Sequence, residues 1–163
     1  MEIIICGVSE VNDYIDEADG VISIMNPAWR IYAPLSITEK KEENRHRVLE
    51  LEFDDIWSEE DELGLEIVTK DIIYQVLNFA DNFQESYKGE GKLLIHCHEG
   101  ISRSSGMALT ILTYLTKNIQ EAINIVNEIR PQAMPNIEII RLTDEILNLN
   151  GELLDKVFQE YYG

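Results

Sequence analysis

The stretch Lys92-Leu93-Leu94-Ile95-His96 limits most sharply how this chain can fold. It is short, nearly all apolar, and passes without a linker into Cys97-His98-Glu99-Gly100-Ile101-Ser102-Arg103 and then into a helical pattern to about residue 116. An apolar run of this length with no polar alternation is a strand covered on both faces, as found inside parallel sheets. Residues 2–6 and 21–25 read the same way, the second closed by Asn26-Pro27. Leu49-Glu50-Leu51-Glu52-Phe53 alternates strictly, so Leu49, Leu51 and Phe53 share a face. Continued alternation puts Asp55 on that face and Asp54 on the other.

Helical patterns fill the intervals. One follows Gly7 and ends near Asp19-Gly20, and a long amphipathic one covers about 67–87 before Gly89-Glu90-Gly91. Others run over 119–130, 136–148 and 152–161, punctuated by Pro131, Pro135 and Gly151. The signal is weak over 31–47, where the polar run 39–47 reads as a helix turn or solvated loop, and 57–64 is an acidic loop. The expectation is a single α/β domain over residues 1–163, with about 4–5 strands in a mostly parallel twisted sheet flanked by helices. Residues 20–150 form its core and 151–161 a C-terminal helix.

With 163 residues, 45% of them apolar and 27% charged, the chain can bury one core without staples. Two cysteines are too few for a disulfide framework. Cys6, at the end of Ile3-Ile4-Ile5, reads as a small buried hydrophobe. Cys97 lies between His96 and His98 with no second cysteine or distant histidine pair at ligand spacing, so no metal and no other cofactor is expected. The net charge of −18 argues against nucleic-acid and anionic-membrane partners. No apolar run reaches the length of a membrane span, and the first residues lack a basic start and long apolar segment. A cytoplasmic protein is expected, its oligomeric state left open.

The chemistry concentrates after residue 96. A loop between a strand end and a helix start points successive N–H groups into one space, and the helix adds its positive end, so residues 98–103 can cradle an anion. A cysteine at the loop's first position feels the same partial charge, which favours the thiolate. A thiolate attacks phosphorus competently if the non-bridging oxygens are held, and the planar fork of Arg103 can hold two of them. Gly100 lets the backbone close on the anion, while the hydroxyls of Ser102 and Ser104 donate to the loop or the sulfur. Given the charge of −18, such a site works through short-range donors and not by steering.

These residues carry a resemblance. His96-Cys97-His98-Glu99-Gly100-Ile101-Ser102-Arg103-Ser104 resembles the signature of the cysteine-based protein tyrosine phosphatase superfamily, and its Ser-Arg-Ser ending is similar to the dual-specificity branch. Leu51-Glu52-Phe53-Asp54-Asp55-Ile56 resembles the strand and general-acid region of those enzymes, in particular small bacterial members. Arg130-Pro131-Gln132-Ala133-Met134-Pro135-Asn136 is similar to the segment before their last core helix. The resemblance implies a tyrosine phosphatase-like fold, a phosphocysteine on Cys97, phosphate held by Arg103 and residues 98–102, and an aspartate that protonates the leaving oxygen. Strand alternation favours Asp55, with Asp54 as the alternative acid. His96 either fixes the loop backbone, stabilises the thiolate as an imidazolium, or is a satisfied core histidine. Asn136 either bonds the phosphate loop or caps its helix. Trp57 and Tyr32 are candidates for the mouth of the cleft, with packing the plainer role for each.

The expected substrate is a phosphorylated protein or peptide, chiefly phosphotyrosine, with phosphoserine and phosphothreonine also admitted. The rivals are a phosphatase of a small-molecule phosphate, a sulfur or arsenate transferase, and a non-catalytic phospho-binding module.

Overall fold

A computed structural model describes residues 1–58 and 64–163. The acidic loop expected over 57–64 therefore lies mostly outside the described residues. Among these, four parallel strands form one sheet: β1 (Glu2–Gly7), β2 (Gly20–Met25), β3 (Val48–Glu52) and β4 (Lys92–Cys97), in the order β1-β4-β2-β3. β4 sits between two neighbours, with Ile5 beside Ile95 on one side and Ile22 beside it on the other. This is why its sequence has no polar face: Leu93, Leu94 and Ile95 are all fully buried. Each such side chain is worth about 2–3 kcal/mol of burial.

The two faces are covered unequally. Ile3, Ile5, Ile22, Ile24, Leu93, Ile95 and Cys97 face a large core completed by five helices. These are α3 (Lys70–Ser86), α4 (Arg103–Thr116), α5 (Ile119–Ile129), α6 (Ile137–Ile146) and α7 (Glu152–Val157). The other face carries Cys6, Val21, Val48 and Leu94 under a thin cover of Val11, Ile15, Ala18 and Ile37. That cover comes from α1 (Val11–Tyr14), a following turn, and α2 (Leu35–Glu43).

Several expectations are corrected. The segment after Gly7 is not one helix but a 3-10 turn at Val8–Glu10, the four-residue α1 and a second turn at Ile15–Glu17. The run 39–47 is split between the end of α2 and a turn at Arg45–Arg47. α3 starts at Lys70, where the Thr69 hydroxyl accepts the Ile72 N–H. The last helix ends at Val157 and continues as a π turn over Phe158–Tyr162. β3 also stops one residue early. Phe53 N–H still bonds Met25 O, but the chain then leaves the sheet, so alternation does not reach the aspartates.

Candidate active site

The loop after β4 is shaped by where its carbonyls go. Cys97 O accepts from His96 Nδ1 (3.1 Å), and His98 O accepts the Val8 N–H (3.0 Å). Glu99 O and Gly100 O accept from the Arg130 guanidinium at 3.1 and 2.9 Å. Ile101 O accepts the Met134 N–H (2.9 Å), and Ser102 O accepts those of Gly106 and Asn136. Every carbonyl from Cys97 to Ser102 is thus engaged by the surrounding protein. In a trans peptide the N–H points opposite to the carbonyl. The N–H groups of residues 98–103 are therefore turned to the inside of the loop, and that of Gly100 meets the sulfur of Cys97 at 3.3 Å. Here Gly100 has φ +71°, and a Cβ on it would lie 2.4 Å from the Cys6 carbonyl carbon and 2.5 Å from the Gly7 nitrogen. Only glycine permits both the conformation and the approach.

Arg130 holds the loop from behind. Its guanidinium also pairs with Glu10, whose carboxylate in turn accepts the Gly7 N–H at 2.7 Å. Arg130 holds the Glu10 carboxyl below its ordinary range. One arginine thus ties two carbonyls of the loop after β4 to the end of β1.

Inside the loop, the Ser104 hydroxyl lies 3.2 Å from Cys97 Sγ. Arg103 is 3% exposed, and its Nη1 donates to Phe53 O at 2.7 Å. Its Nε is buried without a partner among the described residues, a cost that an anion in the loop would relieve. A cavity of about 450 Å³ opens above, lined by Cys97, Arg103, Asp55, Asn26, Met25, Trp29 and residues 98, 99, 101 and 102. His98 and Glu99 contribute backbone to it while their side chains stand out in solvent, 3.3 Å from each other.

The adjacent aspartates have separate fates. Asp55 Oδ1 accepts from the Ser102 hydroxyl (2.7 Å) and Asn136 Nδ2 (2.8 Å), which holds the carboxylate at the cavity. Asp54 turns away: it accepts from Asn26 Nδ2 and the Glu66 N–H, and its own N–H bonds Glu66 O, so it staples the returning chain. Strand alternation picks the cavity residue, yet the cause is these two sets of partners. Asn136 combines both expected roles differently. Its Oδ1 caps α6 through the Ile139 N–H, its Nδ2 holds Asp55, and only its backbone N–H touches the loop.

His96 is fully buried, and burial pushes its pKa down to about 4, so the ring is neutral at neutral pH. The imidazolium reading gives way to the loop-fixing one. Since a carbonyl can only accept, Nδ1 carries the proton toward Cys97 O, and Nε2 accepts from the Ser23 hydroxyl at 2.7 Å. Ser23 Oγ accepts in turn from Arg30 Nη1 at 2.7 Å, and Arg30 Nη2 donates to the carbonyls of Ser23 and Leu51. A chain of bonds thus runs from Arg30 to the Cys97 carbonyl. Sequence reasoning missed Arg30, Ser23 and Glu10. No pattern marks a lone arginine just after Asn26-Pro27, although Arg130 stood in the quoted motif without a role.

Of the two aromatics proposed for the mouth, Trp57 packs edge-on against Tyr162 and lies off the cavity. Tyr32 reaches it only by way of Trp29, its ring neighbour at 5.6 Å.

Solved structures share this fold. A structure of PTP-2 phosphatase from Cydia pomonella superposes with a TM-score of 0.65 at 16% identity, covering 89% of this chain and 85% of that one. The human tyrosine phosphatase-like serine/threonine/tyrosine-interacting protein gives 0.62 at 18%, covering 89% and 87%. In sequence, the tyrosine-protein phosphatase vhp-1 of Caenorhabditis elegans is 33% identical over 95 residues, 52% of this chain and 14% of the relative. A MAP kinase phosphatase with leucine-rich repeats of Dictyostelium discoideum is 38% identical over 55 residues, 33% of this chain and 6% of that protein. The chain thus spans a small part of the length of these two relatives. Residues 14–145 match the family described as dual specificity phosphatase, catalytic domain. That match takes in both aspartates, the whole of the Cys97 loop and Asn136, and the chain belongs to this family.

Proposed function

We propose that this protein hydrolyses phosphate monoesters, chiefly phosphotyrosine in proteins, with phosphoserine and phosphothreonine also admitted. The observation that carries the reading is the outward turn of every carbonyl from Cys97 to Ser102, which gathers the N–H groups around Sγ. Two free thiols fit a reducing, cytoplasmic setting.

In the first step Cys97 Sγ attacks phosphorus in line, the bond to the leaving oxygen breaks, and that oxygen takes the proton from Asp55. The loop N–H groups and Arg103 hold the three equatorial oxygens, most strongly as charge spreads over them. In the second step the Asp55 carboxylate removes a proton from water, the water oxygen bonds to phosphorus, and the phosphorus–sulfur bond breaks. Ser104, 3.2 Å from Sγ, stabilises the departing thiolate. Asn136 and Ser102 keep Asp55 at the mouth through both steps.

The test is hydrolysis of an aryl phosphate across pH. Turnover lost in Cys97→Ser and Arg103→Ala, with phosphate trapped on sulfur in the wild type, supports this reading. Tight phosphopeptide binding without turnover would instead make the protein a phospho-reader.

A further inference from the structure

The segment between β2 and α2 exposes an apolar ridge. Trp29 is 54% exposed, Ile31 83%, Tyr32 67% and Leu35 78%, four large apolar side chains in seven residues. A monomer seldom leaves such a cluster bare unless something binds it.

The ridge is built, not loose. Arg30 lies within it but points inward, bonded to Ser23 and Leu51 on the underlying strands. Asn26 at its root is tied to Asp54, and the backbone bonds Trp29 N–H to Asn26 O and Ala33 N–H to Arg30 O fix the 3-10 turn Pro27–Tyr32. With three residues per turn, positions 29 and 32 stand over one another, which brings their rings to 5.6 Å. An anchored Arg30 thereby forces its neighbours outward.

The ridge is also continuous with the catalytic cavity, because Trp29 and Met25 line that cavity together with Cys97. Its charge setting is predominantly negative. Glu99 at the rim is 71% exposed beside His98, Glu52 is 46% exposed although Arg30 lies 3.5 Å away, and the chain carries −18 overall. That field opposes a second copy of this chain, an anionic bilayer and acidic peptide flanks alike.

We propose that the ridge at residues 29–35 is the substrate-docking surface, taking large apolar or aromatic side chains that flank the phosphorylated residue of a protein and selecting against acidic ones. This rests on the phosphatase reading above and names its substrate class. The ridge acts on recognition, so it shows in kcat/KM for peptides and not for substrates without flanks.

The experiment compares phosphotyrosine peptides whose flanks are Leu and Phe, Ser and Gly, or Asp and Glu. Each kcat/KM is read as a ratio to that of a small aryl phosphate, for the wild type and for the double variant Ile31→Ser, Leu35→Ser. The wild type is expected to prefer apolar over acidic flanks by about tenfold or more, and the double variant to lose most of that preference. Equal ratios for the three peptides, or a preference that survives in the double variant, overturns the proposal. A ridge needed only for self-association in sedimentation, or for binding zwitterionic vesicles, overturns it as well. Affinities of Cys97→Ser for the same peptides read docking without turnover. Absence of aryl phosphate hydrolysis in the wild type would sink the phosphatase reading, whereas loss of the affinity ranking would sink the ridge.

Discussion

Two neighbouring parallel strands each carry a cysteine at or near their C-terminal end, in opposite settings. β1 ends in Cys6-Gly7 and β4 in Cys97, and in their register Cys6 stands beside His96 and Gly7 beside Cys97. The offset of one residue places the two thiols on opposite faces of the sheet, Cys6 under the thin cover and Cys97 toward the large core and its cavity. Both are nearly fully buried by area, at 0% and 2% exposed. Burial, reinforced by Glu10, pushes the Cys6 thiol up to about 12. Cys97 has the Gly100 N–H and the Ser104 hydroxyl on its sulfur and a cavity above it. Equal burial thus leaves the two sulfurs in unlike surroundings, and the groups facing Cys97 are the kind that favour a thiolate.

The sharpest way to break this contrast is to exchange the cysteines' fates. Cys97→Ser is expected to lower kcat by about 10⁴-fold or more, because the nucleophile is lost. Cys6→Ala should leave kcat within a few-fold and cost ~1 kcal/mol of stability in urea unfolding, through a small void. Iodoacetamide at neutral pH should label Cys97 alone, as mass spectrometry of tryptic peptides would read; labelling of Cys6 at a like rate would end the comparison.

The aspartate pair repeats the contrast one strand away. Asp55→Asn should reduce kcat toward a poor leaving group by about 10²–10³-fold and flatten the alkaline limb of its pH profile. Asp54→Asn should lower stability by ~1 kcal/mol, through the weakened bonds to Asn26 and Glu66, with the pH profile kept. If Asp54→Asn flattens the limb instead, the partners of the two carboxylates have been misjudged.

His96 stands between the cysteines and gives a stability signature. Its folded pKa of about 4 lies below the ordinary 6.5, so between these values the unfolded chain holds the proton and the native ring does not. Its contribution is complete above about pH 6.5 and is lost as pH falls toward 4, a change of ~3 kcal/mol in all. Urea midpoints across that window should show it, and His96→Gln should remove this share of the slope. Arg30 couples a stability effect to a modest one on turnover. Arg30→Met severs the bonds to Ser23 and Leu51 and should cost ~2 kcal/mol, with kcat lowered only several-fold as the Cys97 carbonyl loosens. Unchanged kcat in that variant would confine the chain of bonds to a structural role.

Much of this was legible in the chain itself. The interior strands β2 and β4 announce themselves because a parallel interior strand must be apolar on both faces, the edge strand β3 shows by its alternation, and the loop is marked by the step from Ile95-His96 to Gly100 and Arg103. Less legible was whatever depends on a partner distant in sequence. Asp55 lies at the cavity because Ser102 and Asn136 hold it there, not because β3 alternates. Arg30, Trp29 and Tyr32 sit in a segment of weak periodicity, where 3-10 geometry fixed by one inward side chain decides which residues point out. Before β2 the spacing of Val8, Val11, Ile15 and Ala18 shows a helical face but not that the segment breaks into 3-10 turns on either side of α1.

The back of the loop after β4 meets β1 backbone to backbone, with Gly100 against Cys6 and Gly7, and Gly7 so near His98 O that a Cβ would fall 2.9 Å from it. The one side chain at the Gly100 contact, Arg130, is itself tied to Glu10 and to two loop carbonyls, so the loop has no cheap local opening. The Val8 amide, which bonds His98 O across that contact, should exchange with deuterium at the pace of global unfolding, in step with those of β4 and far behind those of α2. The loop after β4, though irregular in shape, is then thermodynamically part of the sheet.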